Sequence, residues 1–200
     1  MIGHLRGKLI VKSPPLLLID VQGVGYEVEA PMSTFYQLSN VGEEVFLYTH
    51  LAVRDDAHLL FGFASEDERA LFRHLLKVNG IGAKMALTIL SGIEADDFAT
   101  CIREGDSNRL SRLPGIGKKT AERLIIEMRD RLDDFVRSRD KGVNNTRAPS
   151  TNQTIDDAIS ALIALGYKPQ EASRYVHAVA NADMDSEEII RQALKASVSG

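Results

Sequence analysis

The sequence of 200 residues contains a single cysteine, Cys101, and this shortage excludes several kinds of site. One thiol rules out internal disulfides, a cysteine-based zinc site and a four-cysteine iron–sulfur cluster. No apolar run approaches the roughly 18 residues that a membrane-spanning helix needs. Residues 1–6 lack the pattern of a secretory signal peptide. We therefore expect a cytoplasmic protein with no membrane segment, no metal and no cofactor.

An excess of positive charge is also missing, since the net charge is -4 at pH 7. Nucleic-acid-binding proteins usually carry a basic patch or stripe. Residues 64–140 have 14 Lys and Arg against 14 Asp and Glu, and many of the basic residues lie around two glycine-rich turns. The total charge does not exclude DNA binding, because one face can be basic while another is acidic.

A glycine pattern occurs twice in this charge-dense region. Turn A, residues 79–84, has the sequence Asn-Gly-Ile-Gly-Ala-Lys, and turn B, residues 114–119, has the sequence Pro-Gly-Ile-Gly-Lys-Lys, 35 positions later (114 minus 79). Both lie between stretches typical of helices, which indicates a duplicated helical hairpin. A glycine turn that opens onto a helix leaves N–H groups unpaired at the positive end of the helix dipole. Such a position favours a phosphate, and two of them could hold two points of one nucleic-acid backbone.

The candidate DNA-binding residues follow from this pattern. Ile81 and Ile116 are expected to fill the core beneath each turn and to leave the flanking amides exposed. Lysines after each turn, and an arginine one helical turn further on, could reach phosphates. We expect valine at Gly115 or at Gly117 to abolish tight binding while the fold stays intact. The predicted residues of both turns are Asn79, Gly80, Gly82, Ala83, Lys84, Gly115, Gly117, Lys118, Lys119 and Arg123.

Other interpretations of the glycine turns are weaker. A lone glycine turn often does no more than end a helix, because glycine accepts a positive φ. Turn B is superficially similar to a nucleotide-binding P-loop, but Arg112 stands where the first glycine of that motif must be. We therefore expect no ATPase site, and work on DNA driven by ATP would have to come from a partner.

The succession of strand-like, helical and linker-like segments predicts a multi-domain α+β protein with four parts. Residues 1–63 read as short strands that favour a small barrel, with 54–57 at a hairpin tip. Residues 64–138 read as helices around both turns, 139–152 as a flexible linker, and 153–200 as a three-helix interaction module. The predicted elements include strands at Leu16–Val21, Tyr26–Ala30, Val45–Leu51 and Leu59–Phe63, a turn or bulge at Gly23–Gly25, a capping box at Ser65–Glu68, and helices at Thr154–Ala164, Pro169–Ala180 and Ser186–Ser197.

Several segments resemble the RuvA family of bacterial Holliday-junction-binding subunits, and the resemblance covers nearly the whole chain. The most specific segments are Met1–Gly3 with Leu5–Gly7, Gly23–Val28, Val53–Ala57, Leu60–Phe63, Leu113–Glu122 and Ala164–Tyr167. The resemblance implies an OB-like barrel that builds a homotetramer and a central domain with two helix-hairpin-helix motifs that bind DNA. It also implies a UBA-like C-terminal module, residues 153–200, that contacts the hexameric RuvB motor.

The same resemblance implies roles for the hairpin tip and for partners. Asp55 and Asp56 would form an acidic pin at the tetramer centre, where the family commonly has Glu-Asp, and Arg54 joins the DNA-binding residues. One tetramer, or two that form an octamer, would hold a four-way junction open and nearly planar for branch migration in recombination and repair. The RuvC resolvase is a further expected partner. The chain itself would be a DNA-binding subunit and not an enzyme.

Two rival classes fit parts of the sequence. A helix-hairpin-helix glycosylase or a structure-specific nuclease would need an essential aspartate, and three lie beyond turn B (Asp130, Asp133 and Asp134). A metal-dependent nuclease could use Asp55 and Asp56 with His50 or His58, but their spacing matches no recognised ligand pattern, and aspartate is a common turn residue. The second rival class is a protein-interaction scaffold in which the glycine turns are purely structural.

Overall fold

The computed structural model describes residues 1–129, 151–181 and 184–198. The chain forms two compact units, Met1–Gly142 and Val143–Gly200. The first contains a β-barrel followed by a helical domain, and the second is a three-helix module. In the part of the chain that the structure describes, no helix is long and apolar enough to cross a membrane.

The N-terminal part of the first unit is a closed barrel, as predicted. Its strands are β1 His4–Ser13, β2 Leu16–Val21, β3 Val24–Glu29, β4 Glu44–Val53 and β5 His58–Phe63. They follow the order β1-β2-β3-β5-β4, with antiparallel pairing except between β3 and β5. Successive side chains of a strand lie on opposite faces, so Leu9, Leu17, Ile19 and Leu47 lie in the barrel interior and are fully buried.

The sequence-based prediction misses one element of this barrel and misplaces one turn. Helix α1, Met32–Gln37, lies between β3 and β4 and was not predicted. It has six residues, its cap Pro31 makes no side-chain hydrogen bond, and its first turn has no acidic residue. Such a helix carries no local signal. The turn predicted at Gly23–Gly25 falls at Gln22 and Gly23, both with positive φ, because Val24 already pairs with Val21.

The helical domain contains both glycine turns. Its helices are α2 Glu66–Leu75, α3 Ala83–Gly92, α4 Ala95–Glu104, α5 Ser107–Leu110 and α6, described over 118–129. Ser65 caps α2 as predicted, because its hydroxyl accepts a hydrogen bond from the N–H of Glu68. The predicted capping box is only half formed. The carboxylate of Glu68 accepts instead from the hydroxyl of Thr34 in α1, at 3.1 Å.

Polar and aromatic contacts join the barrel to the helical domain. Phe72 of α2 packs against Phe61 and Phe63 of β5, with ring centroids 5.1 and 4.9 Å apart. The N–H of Met32 donates to the hydroxyl of Ser91 at the end of α3, at 3.0 Å. Together with the buried bond between Thr34 and Glu68, these contacts fix the barrel relative to the hairpins.

His50 of β4 lies at the same junction. Its Nδ1 accepts a hydrogen bond from Nε of Arg73 at 3.4 Å, and its ring packs against Phe72. Burial, together with the positive charges of Arg73 and Arg69, lowers the pKa of His50 below its ordinary value. The imidazole is therefore held neutral as a hydrogen-bond acceptor.

The second unit is a three-helix module with its own small core. Its helices are α7 Thr151–Ala164, α8 Pro169–Val179 and α9 Ser186–Val198. Among its described residues, the buried hydrophobic side chains are Ala158, Leu162, Ala172, Val176, Ile189 and Ala193. Because α7 begins at Thr151, the last two positions of the predicted linker are helical, and 139–150 lie outside the described residues.

Candidate nucleic-acid interface

Turns A and B have the same backbone structure, which confirms the duplicated hairpin. Gly80 and Gly115 occupy the same position in the repeat and have φ of 83° and 78°, a region that favours glycine. Three backbone hydrogen bonds of turn A recur in turn B with the 35-residue offset, all 2.9–3.1 Å from N to O. In turn A the N–H groups of Val78, Ile81 and Ala86 donate to the carbonyls of Leu75, Val78 and Gly82. In turn B the N–H groups of Leu113, Ile116 and Ala121 donate to those of Leu110, Leu113 and Gly117.

The isoleucine of each turn fills the core as predicted. Ile81 is 5% exposed and Ile116 is 4% exposed, and both belong to the core of the helical domain. Burial of the isoleucine pins the middle of each turn and leaves the flanking residues at the surface. Each turn is therefore anchored in the core by its isoleucine, while its glycines stay exposed to solvent.

Unpaired amides follow each turn. Among the described residues, no hydrogen-bond acceptor meets the N–H groups of Gly82, Ala83 and Lys84, or those of the matching residues 117–119. These groups begin α3 and α6, where the helix dipole adds positive potential. Gly82, Lys84 and 117–119 are exposed, whereas Ala83 is buried. Two helix starts with unpaired donors and exposed lysine side chains suit the phosphates of a nucleic-acid backbone.

Gly82 and Gly117 differ from Gly80 and Gly115 in what the fold requires of them. A Cβ at Gly82 or Gly117 would meet no atom within 4 Å, and neither residue has a positive φ. The fold alone therefore does not demand glycine there, whereas close approach of a ligand to the backbone would. Gly115, in contrast, needs glycine for its backbone, so valine at this position would strain the turn. We therefore expect Gly115→Val to reduce folding stability as well as binding, which leaves Gly117→Val as the substitution that separates the two.

The basic side chains lie around the turns, with one difference from the prediction. Lys84, Lys118 and Lys119 are exposed at the beginnings of their helices. Arg123 was expected to extend the surface at turn B. It instead reaches turn A, where its Nη1 donates to the carbonyl of Asn79 at 3.1 Å. The N–H of Asn79 donates to the carboxylate of Glu127 at 3.3 Å, a contact that sequence reasoning missed.

The acidic tip is a separate feature of the first unit. Arg54, Asp55 and Asp56 are exposed between β4 and β5, and the N–H of Arg54 donates to the carbonyl of Ala57 at 2.9 Å to close the hairpin. Within the described ranges, no hydrogen bond or ion pair joins this tip to either glycine turn. The tip therefore offers two carboxylates and one guanidinium to solvent.

In the described structure, Asp55 and Asp56 form no metal site with His50 or His58. Asp130, Asp133 and Asp134 lie outside the described residues. In the ranges that are described, no group of three or more His, Cys, Asp or Glu is placed to hold a metal. Cys101 is buried, and burial raises the pKa of its thiol, so it is held in its protonated and unreactive form.

Comparisons with known proteins agree with this architecture. The RuvA N terminal domain model matches residues 1–62, the RuvA C-terminal domain model matches 153–198, and a SAM-like helix-hairpin-helix tandem model matches 72–130. The central domain is therefore a helix-hairpin-helix tandem, as predicted, and none of the three descriptions names an enzyme family.

Relatives match the chain from end to end. Holliday junction branch migration complex subunit RuvA of Nitrosococcus oceani is 62% identical over 98% of both chains. The proteins of the same name from Thioalkalivibrio sulfidiphilus and Vibrio parahaemolyticus are 58% and 52% identical, over 99% of this chain and 100% of theirs. A repair glycosylase or nuclease is not favoured by these matches. The chain belongs to the RuvA family.

Proposed function

We propose that this chain binds four-way DNA junctions and takes part in branch migration during homologous recombination and DNA repair. The observation that carries the proposal is the duplicated turn, which presents two sets of unpaired amides at helix starts. Relatives that match nearly the whole chain are named as subunits of the Holliday junction branch migration complex. Two observations therefore support the proposal: the function given in the relatives' names, and a surface that suits two phosphates.

Binding follows DNA shape and not sequence. Amides at Gly82–Lys84 and Gly117–Lys119 contact phosphates, and lysine ammonium groups add charge nearby. Contacts of this kind fix the position of the duplex but read no base edge. Each phosphate neutralised by a lysine or arginine lowers the logarithm of affinity by about 0.9 per tenfold rise in salt.

A homotetramer gives the acidic tip its role. Four subunits present eight glycine turns to four DNA arms, and their tips meet near the crossover. Asp55 and Asp56 repel phosphates there, which disfavours a collapsed stacked junction and directs strands into the exiting arms, while Arg54 contacts the DNA beside them. A second tetramer on the opposite face would complete an octamer, and the RuvC resolvase acts on the same junction.

The C-terminal module, residues 153–200, connects the junction to the motor. Its core has six buried residues, which is small for a catalytic domain and adequate for a docking module. It contacts the hexameric RuvB ATPase, which supplies the energy for migration. This chain carries no ATPase step of its own and works in the cytoplasm.

A gel-shift titration tests the proposal. The protein is titrated against a synthetic four-way junction and against a linear duplex of equal length, at two salt concentrations. We expect discrete shifted species, strong preference for the junction and steep salt dependence. Equal affinity for both DNAs would reduce the protein to a nonspecific binder and would remove the support for the pin and the tetramer.

A further inference from the structure

The two glycine turns differ at their first position, although the rest of their backbone is repeated. Turn A begins with Asn79 and turn B with Pro114. Proline has no N–H and fixes its own φ near -65°, so turn B is stiff at its entrance without help. Asparagine has a free φ and an N–H that needs a partner.

Turn A receives that help from the other hairpin. Nη1 of Arg123 donates to the carbonyl of Asn79 at 3.1 Å, and the N–H of Asn79 donates to Oε2 of Glu127 at 3.3 Å. Arg123 and Glu127 are four residues apart and so lie on one face of α6. Both backbone groups of Asn79 are therefore bound by one helix from the second hairpin.

This support runs in one direction only. Subtracting the 35-residue offset from 123 and 127 gives Thr88 and Gly92 of α3. The hydroxyl of Thr88 donates to the carbonyl of Lys84 in its own helix, and Gly92 has no side chain. Helix α3 therefore has no equivalent pair with which to hold turn B, and Pro114 makes such a pair unnecessary.

We propose that Glu127 and Arg123 are positioning residues that hold turn A ready for a phosphate, as Pro114 does for turn B. The proposal rests on the proposed function, since the phosphate is that of the junction DNA. A carboxylate near a phosphate-binding turn weakens binding by repulsion, so Glu127 is explained better by its bond to Asn79 than by contact with DNA.

The test compares Glu127→Ala with Glu127→Gln in the full-length protein. Glu122→Ala is the matched control, because Glu122 is an exposed glutamate of the same helix. Amide hydrogen exchange is followed at Ile81 and at Ile116, whose N–H groups bond within turns A and B, and junction affinity is followed by fluorescence anisotropy. We expect Glu127→Ala to speed exchange at Ile81 but not at Ile116, and to weaken junction binding by about tenfold, as loss of a charge-assisted hydrogen bond would. Glu127→Gln keeps an acceptor and should preserve slow exchange.

A second variant tests the comparison with proline. Asn79→Pro combined with Glu127→Ala gives turn A the entrance residue of turn B, and the matching bonds of Val78 and Leu113 indicate that the backbone accepts it. We expect exchange at Ile81 to return to the wild-type rate. Unchanged exchange in Glu127→Ala, or equal weakening by Glu122→Ala, would overturn the proposal. Exchange is measured without DNA, so a wild-type protein with no junction preference would refute the proposed function and leave this result interpretable.

Discussion

Valine at Gly117 should separate DNA binding from folding. A Cβ at this position meets no atom within 4 Å, and Gly117 precedes α6 with no positive φ, so the fold accepts a side chain. The stability cost is that of a poor helix cap, about 1 kcal/mol. The branched side chain would stand over the amides of 117–119 and keep a phosphate away. Loss of one charge-assisted contact of about 1.5–3 kcal/mol corresponds to a decrease in affinity of roughly 10- to 150-fold, which is a lower bound for a tetramer whose four chains each lose one.

The assay pairs junction anisotropy with thermal unfolding, and the neighbouring glycine is the control. Gly115→Val places a β-branched residue at a φ of 78°, which should cost more than about 1–2 kcal/mol of folding free energy. Gly115→Val is therefore expected to lose stability as well as binding, whereas Gly117→Val loses mainly binding. A folded Gly117→Val protein with wild-type affinity would refute the amide site.

Three further predictions concern the tip, the domain junction and the module. Asp55→Asn with Asp56→Asn should lower the ratio of junction to duplex affinity more than it lowers total affinity, and an unchanged ratio would contradict the pin. The pKa of His50 is lowered in the fold, so between that value and about 6.5 the unfolded chain binds more protons. Stability should therefore fall as pH drops through this window and then level off, and His50→Gln should flatten that slope in thermal unfolding. A chain that ends at residue 150 should still bind junctions but should no longer stimulate the motor's ATPase, and full stimulation would refute the docking role.

The features that sequence analysis predicted are those with a local pattern. Alternating apolar residues predict the strands of the barrel, and the repeated glycine pattern predicts turns A and B with Ile81 and Ile116 beneath them. Each of these signals lies within a few consecutive residues. The closed barrel also follows, because many short strands in 63 residues cannot all remain paired in an open sheet without exposed edges.

The features that were missed depend on distant residues. Arg123 and Asn79 are 44 positions apart, and no local pattern distinguishes an arginine that binds a phosphate from one that binds a carbonyl. The spacing of Glu68 fits a capping box. Its carboxylate instead accepts a hydrogen bond from Thr34, which lies in a helix that has no sequence signal. Polar side chains have several satisfactory partners, and only the assembled fold decides among them.

The proposed function needs weak contacts to DNA, because the duplex must move through the protein that holds it. It also needs a barrel and a helical domain that stay fixed relative to each other. Amide contacts to phosphates are nearly the same at every base pair, so a duplex that advances by one step exchanges each contact for an equivalent one. Uniform contacts cannot also define the junction centre, and the role proposed for the acidic tip requires the tip to stay at a fixed distance from the turns. The bonds from Thr34 to Glu68 and from Met32 to Ser91 supply that rigidity, because they fasten the barrel that carries the tip to the helices that carry the turns.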